Sequence, residues 1–260
     1  MTQSDLLASD VQSVLALGDL QTLSPASDAM NKHRIVGFDS RDTRSRPFNL
    51  LRTSFAKKLR EKNFRLVGIT SATPGAGKSF LSMNLASSLA RVTEGPVFLV
   101  DLDIRRASVA EELGLTPEKG IESYLAGKVA SLKEIGFSIE GANLGIFPSV
   151  RQSRNTAELL SGDRFSAMIA AFRDRSDAAA VLFDLPPAFA NDDAMISLEQ
   201  LDAFLLVVDS GQTTRKQVQE VLAMLHPTPC IGTVLNRYRG GLADSYGYGY
   251  GAADYGRYQE

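Results

Sequence analysis

From residue 65 onward the apolar residues fall in short unbroken runs rather than alternating with polar ones. The runs are "RLVGIT" at 65, "PVFLVD" at 96, "NLGIFPS" at 143, "AAVLFDLP" at 179, "AFLLVVDS" at 203 and "CIGTVLN" at 230. A strand covered on both faces needs such a run, because its side chains meet protein on either side. Helical patterns separate several of the runs: "FNLLRTSFAKKLREK" precedes the first and "SFLSMNLASSLARV" follows it. Strand-length runs interleaved with helices predict an α/β fold, a doubly wound and mostly parallel sheet flanked by helices. No internal repeat interrupts it.

The two ends read differently. Leu7, Val11, Val14 and Leu15 share one helical face, which predicts a short amphipathic helix within residues 5–17, packed on its own domain or docked on a partner. From Ser24 to Pro47 the chain turns polar, with the charged run "DSRDTRSR" at 39–46, and reads as a linker. The chain closes on "DSYGYGYGAADYGRYQE"; six of its seven tyrosines lie from Tyr238 onward, five of them in this glycine-rich stretch. The expected organisation is an N-terminal segment and linker over 1–45, a folded domain over 46–238 and a flexible tail over 239–260.

Composition narrows the function. With 44% hydrophobic and 22% charged residues in 260, the chain can bury a full core. A net charge of -2 lacks the basic excess of a nucleic-acid binder. The single Cys230 fits a reducing compartment, and the isolated His33 and His226 rule out a Cys/His metal cluster and read as ordinary surface residues. The start lacks the basic flank and continuous apolar core of a signal peptide, and no run is long enough to span a bilayer. A cytoplasmic protein without direct membrane insertion is expected.

The chemistry clusters where the predicted strands end. Directly after the first comes Ala72-Thr73-Pro74-Gly75-Ala76-Gly77-Lys78-Ser79, followed by Phe80, a P-loop apart from Ala72 in the place of its first glycine. Gly75 and Gly77 let backbone N–H groups wrap phosphates, Lys78 reaches the β and γ phosphates, and Ser79 can ligate Mg²⁺. ATP and Mg²⁺ are the implied cofactors. A dinucleotide site fits poorly, since no third glycine follows Gly75 and Gly77 at the required spacing. The second strand ends with Asp101 and Asp103, whose spacing in extended chain puts both carboxylates on one side; a helix cap plus a solvated acid is the simpler alternative. Asp184, after three apolar residues in "VLFDLPP", has the setting of an acid that holds Mg²⁺. Asn236, with Arg237 beside it in "LNRYRGG", can lie near the nucleotide base or simply cap a strand end.

Together "TPGAGKS", "FLVDLDIRRAS", "KGIESYLAG", "RNTAELLSGDRF", "VLFDLPPAFANDDA" and the tyrosine-rich end resemble the bacterial tyrosine kinases of capsule and exopolysaccharide synthesis. The resemblance runs from about Ile35 to Glu260. It implies autophosphorylation of Tyr246, Tyr248, Tyr250, Tyr255 and Tyr258, with Asp101 as base toward the phenol, Asp103 supporting the metal through water, and Asp184 and Ser79 on the metal. Arg105 and Asp193 match further family positions. The resemblance also implies a separate membrane polysaccharide co-polymerase as activator, recruitment to the inner face of the membrane through it, and self-association. Three departures stand out. The assembly element of a Glu and two Arg corresponds to Arg46, Asn49 and Arg52, so only the last matches; Ala107 replaces a proline after the arginine pair; and Thr156 replaces a proline after Asn155. Two rivals remain. One is a nucleotide switch of the ParA and MinD type, whose signature lysine would stand where Thr73 is, and the other is an ATP-binding scaffold without catalysis.

Overall fold

A computed structural model of the protein describes residues 16–152 and 154–238. Eight strands form one sheet: β1 (Gln21–Leu23), β2 (Leu66–Ser71), β3 (Val97–Asp101), β4 (Phe137–Ile139), β5 (Leu144–Phe147), β6 (Ala180–Asp184), β7 (Ala203–Asp209) and β8 (Cys230–Asn236). Their order is β1-β4-β5-β3-β6-β2-β7-β8. Every neighbouring pair is parallel except β4 and β5. The helices are α1 (Ser27–His33), α2 (Arg46–Lys62), α3 (Lys78–Ala90), α4 (Ser108–Glu112), α5 (Ile121–Leu125), α6 (Thr156–Leu160), α7 (Asp163–Asp174), α8 (Asp193–Leu198) and α9 (Arg215–Met224). All six expected strands are present, and the sheet is the doubly wound one that their unbroken apolar runs predict.

Alternation along each central strand divides the core into two layers. Phe98, Val100 and Phe183 point to one face, where they meet Phe165, Met168 and Phe172 of α7. Val97, Leu99 and Leu182 point to the other, against Phe55 and Leu59 of α2 and Met83 and Leu85 of α3. Phe172 lies within 5.5 to 6.1 Å of the rings of Phe98, Phe147 and Phe183. Truncating such a side chain to alanine costs about 3–5 kcal/mol.

The described residues from Leu20 to Ser45 correct the expected linker. β1 joins the sheet as an edge strand, and α1 together with buried Ile35 and Val36 packs onto the domain. The reason is a close approach to α3. Asn84 Oδ1 accepts from the N–H groups of Val36 (2.8 Å) and Gly37 (3.0 Å), and any Cβ at Gly37 would collide with Asn84 O and Ser87 Oγ. Most polar residues of this stretch face solvent, with Ser45 buried, so its composition resembles a linker although its backbone is fixed. β1 and β4 escape the sequence reading because each has only three residues. Leu7, Val11, Val14 and Leu15 of the expected amphipathic helix lie outside the described residues, as do the tail tyrosines from Tyr246 onward.

Candidate active site

β2, near the middle of the sheet, delivers the chain into the loop at 72–77, and α3 begins at Lys78. Gly75 (φ 82°) and Gly77 (φ 88°) are both left-handed, conformations that a side chain would strain. Gly77 carries a second constraint, since a Cβ there would run into Asn236 Nδ2. Asn236, the last residue of β8, donates from that nitrogen to Ala76 O at 2.8 Å and braces the loop from two strands away. Ala72 is not among the left-handed residues, so no glycine is needed there; its carbonyl accepts from Phe189 N at 3.2 Å. Thr73 O accepts from Ser71 Oγ at 2.8 Å. Phe80 packs edge-on against Phe48 of α2, with centroids 5.6 Å apart. The loop and the start of α3 thus turn N–H groups and the positive helix end toward one cleft, an arrangement suited to phosphate.

The acids converge from the neighbouring strands. β3 and β6 pair in register with Asp101 beside Asp184. Both are fully buried, and Lys78 and Asp103 are each 3% exposed. Lys78 Nζ lies 3.6 Å from Asp103 Oδ2. Asp101 accepts from Asp103 N at 3.1 Å and from Val109 N at 3.3 Å. Burial, reinforced by the charges of Asp184 and Asp103, pushes its carboxyl well above the usual range. Asp184 Oδ1 accepts from Ser82 Oγ at 3.0 Å, while its buried Oδ2 has no partner. Burial raises Asp184 to about 6, against the opposing pull of Lys78. Ser79 Oγ is 2.7 Å from Ser108 Oγ of α4.

An orphaned, buried carboxylate oxygen and the serine hydroxyls offer oxygen ligands to a hard divalent cation. Among the described residues no three His, Cys, Asp or Glu side chains hold a metal alone. A cation here would complete its shell with phosphate and water oxygens, the usual habit of Mg²⁺.

The cleft has a volume of about 250 Å³ and is lined by Gly75, Gly77, Lys78, Ser79 and Phe80 together with residues that sequence reasoning did not assign to it. These are His33 at the end of α1, Arg106, Ser108 and Glu112. Only the SVAEE segment after the arginine pair could have signalled them, by setting Ser108 and Glu112 one helical turn apart. Arg237 also lines the cleft and is tied to Asp209, with Nη1 2.8 Å from Oδ2. A larger cleft of about 420 Å³ lies at the opposite ends of the strands, around Asn63, Phe64, Glu94 and Ala179, remote from these acids.

The matched pair Arg105 and Asp193 does meet, at 3.0 Å, and Asp193 also accepts from Thr156 Oγ1 at 2.8 and 3.0 Å. Thr156 therefore supplies a hydroxyl that proline lacks. Ala107 sits at φ 54°, which proline cannot adopt. On α2, Asn49 Oδ1 accepts from Arg52 Nη1 (3.3 Å), Ser88 Oγ (3.3 Å) and Arg91 Nη2 (2.7 Å).

The sheet, the loop and the strand-end acids define a P-loop nucleotide-binding domain. Accordingly, the family profile described as "CobQ/CobB/MinD/ParA nucleotide binding domain" matches residues 67–246. Within that class the similarity is narrower. The chain is 30% identical over 228 residues to the tyrosine-protein kinase YwqD of Bacillus subtilis, covering 86% of this chain and 94% of that one. It belongs to the bacterial tyrosine kinase family. It is also 32% identical over 216 residues to the putative tyrosine-protein kinase EpsB of Ralstonia solanacearum, but spans only 27% of that longer protein and 80% of itself. The solved kinase domain of the Escherichia coli tyrosine kinase ETK superposes with a TM-score of 0.71 at 25% identity, over 93% of this chain and 99% of that one. No helix among the described residues is long and apolar enough to cross a membrane.

Proposed function

We propose that the chain is an ATP-dependent protein-tyrosine autokinase that phosphorylates Tyr246, Tyr248, Tyr250, Tyr255 and Tyr258 on a neighbouring copy, and so regulates polymerisation and export of an exopolysaccharide or capsule. The observation that carries this reading is the buried set of Lys78, Asp101, Asp103 and Asp184 at the mouth of the P-loop. The loop N–H groups and the start of α3 bind the phosphates, and Lys78 turns from Asp103 toward them. Ser79, Asp103 and Asp184 would hold Mg²⁺, which supplies charge neutralisation on the β and γ phosphates. The phenol oxygen bonds to the γ-phosphorus as the bond to the β–γ bridging oxygen breaks, and ADP leaves. Asp101 takes the phenol proton. Its backbone bonds use two of about four lone-pair positions, which leaves acceptor capacity for the phenol O–H.

The activator is a membrane polysaccharide co-polymerase, which would hold this cytoplasmic chain at the inner face of the membrane. Each phosphotyrosine adds about -1.5 to -2 of charge, so several exceed the chain's own net charge of -2. Crowded phosphorylated tails repel, and oligomers loosen. An unchanged sedimentation profile after full phosphorylation would contradict that step.

Phosphotyrosine mapping by mass spectrometry after incubation with Mg-ATP tests the reading. Wild-type chain acquires tail phosphate, and Lys78→Ala alone acquires none. Lys78→Ala mixed with a tail-less active chain becomes labelled, as transfer between chains requires. No phosphate in any mixture, even with the membrane partner present, would leave a nucleotide switch as the function.

A further inference from the structure

Glu112 is the acid in the cleft that the phosphoryl-transfer scheme leaves without a task. It ends α4, one turn after Ser108, and so shares that residue's face. Ser108 in turn touches Ser79, and Glu112 lines the same cleft. Its Oε2 is buried and accepts no hydrogen bond. Burying a carboxyl with one oxygen unpaired is costly, whereas an apolar side chain at the end of a short helix would carry no such penalty. The surrounding charges make the placement less favourable still. Arg106 attracts the carboxylate, but Asp184 and Glu111 repel it, and burial raises its pKa to about 8. A position that costs this much without a ligand fits one whose compensation enters with the ligand.

We propose that Glu112 is an outer-shell ligand of the nucleotide's divalent cation, holding a metal-bound water beside Ser79 and Ser108, and that it makes nucleotide binding depend on the metal. The inference rests on the nucleotide-site reading above. Its physical content is a change of sign. Once ionised, above its raised pKa of about 8, Glu112 opposes the phosphates of a metal-free nucleotide; with metal, the same charge attracts the complex. The carboxylate thus disfavours bare nucleotide and favours the metal complex, on top of what Asp103 and Asp184 do.

The test is the dissociation constant of a fluorescent ADP analogue on the full chain, measured at about pH 9, where Glu112 is ionised without metal, in EDTA and in saturating Mg²⁺. The ratio of the two constants is the metal coupling. In Glu112→Gln, which keeps the shape and removes the charge, binding in EDTA tightens about threefold or more and the coupling falls about tenfold, the scale of one lost charge interaction. Glu112→Asp, which keeps the charge, retains the coupling within about threefold. A purely structural Glu112 would shift both constants in proportion; an unchanged coupling in Glu112→Gln overturns the proposal. Wild-type chain that binds no nucleotide in either condition would overturn the site reading and the inference together, a result distinct from unchanged coupling in a chain that binds.

Discussion

At the phosphate site Asp103 and Asp184 act on Lys78, Asp101 lies beside Asp184, and Glu112 lines the cleft; Asp184 and Glu112 each keep a buried oxygen without a partner. At the seam between α2 and α3 the imbalance has the other sign. Arg52 and Arg91 converge on a neutral amide, Asn49, whose oxygen accepts from both and from Ser88. Burial and the nearby Arg91 charge lower the pKa of Arg52. The seam meets its excess internally, by concentrating donors on one oxygen, although Arg91 Nη1 remains unpaired. The cleft has no such internal answer. Unpaired oxygens at the mouth of a P-loop mark where a cation and phosphates complete the structure, whereas a shared amide marks a joint of the fold.

If that contrast holds, removing charge from the two regions has opposite consequences. The largest effect is expected for Asp184→Asn. Phosphotyrosine formation falls by about 10² or more, as for loss of an electrostatic transition-state partner, while the ligand-free chain becomes more heat-stable because a buried, poorly paired carboxyl is gone. Differential scanning fluorimetry without nucleotide or divalent cation, beside quantitative phosphotyrosine blotting, reads both. A lower Tm in this variant would break the comparison at the cleft.

The pH profile sharpens it. Asp184 is raised from 3.8 to about 6 and Glu112 from 4.5 to about 8, so the folded chain binds more protons than the unfolded one across those windows. Stability contributed by the protonated forms is complete below about pH 4 and is lost as pH rises through 6 and then 8. For the ligand-free chain these two groups therefore lower Tm by several degrees between pH 5 and pH 8, on the general scale of a few degrees per kcal/mol for this chain length. Glu112→Gln flattens the upper part of that slope, and Mg²⁺ with ADP flattens it as well. A wild-type Tm that rises steadily from pH 5 to pH 8 would contradict the burial of these acids.

Much of this was legible before any coordinates. Doubly covered strands need continuous apolar runs, so six of eight strands and the α/β class could be read directly, and the P-loop follows from the strand, "TPGAGKS" and helix in sequence. What could not be read depends on contacts across the chain. β1 finds its register only against β4, more than a hundred residues away, and the buried Ile35 and Val36 adjoin backbone that Asn84 holds at Val36 and Gly37. Asn236 reaches the loop through a β8 register that no local pattern encodes. Glu112 sits in "SVAEE" with the look of a solvated helix end, although it lines the cleft and its Oε2 is buried.

The smallest effects lie at the seam, where they test whether Asn49 is a joint or a defect. Asn49→Ala removes the oxygen shared by three donors and leaves partly buried guanidinium groups short of an acceptor, at a cost of about 1–3 kcal/mol. Asn49→Asp keeps the oxygen and adds a charge between Arg52 and Arg91, but loses the bond that Asn49 Nδ2 donates to Ser45 Oγ at 3.3 Å. Charge-assisted bonds exceed neutral ones, while the partial exposure of the seam screens the gain. The balance is a stabilisation of about 0.5–1 kcal/mol, a rise in Tm of about 1–4 °C that shrinks in 1 M salt as screening shortens the reach of the charge. Equal Tm values for the aspartate and wild-type chains at low salt would mean that the amide already meets the full demand of both arginines, and the two regions would then differ in whether any charge is left uncompensated at all.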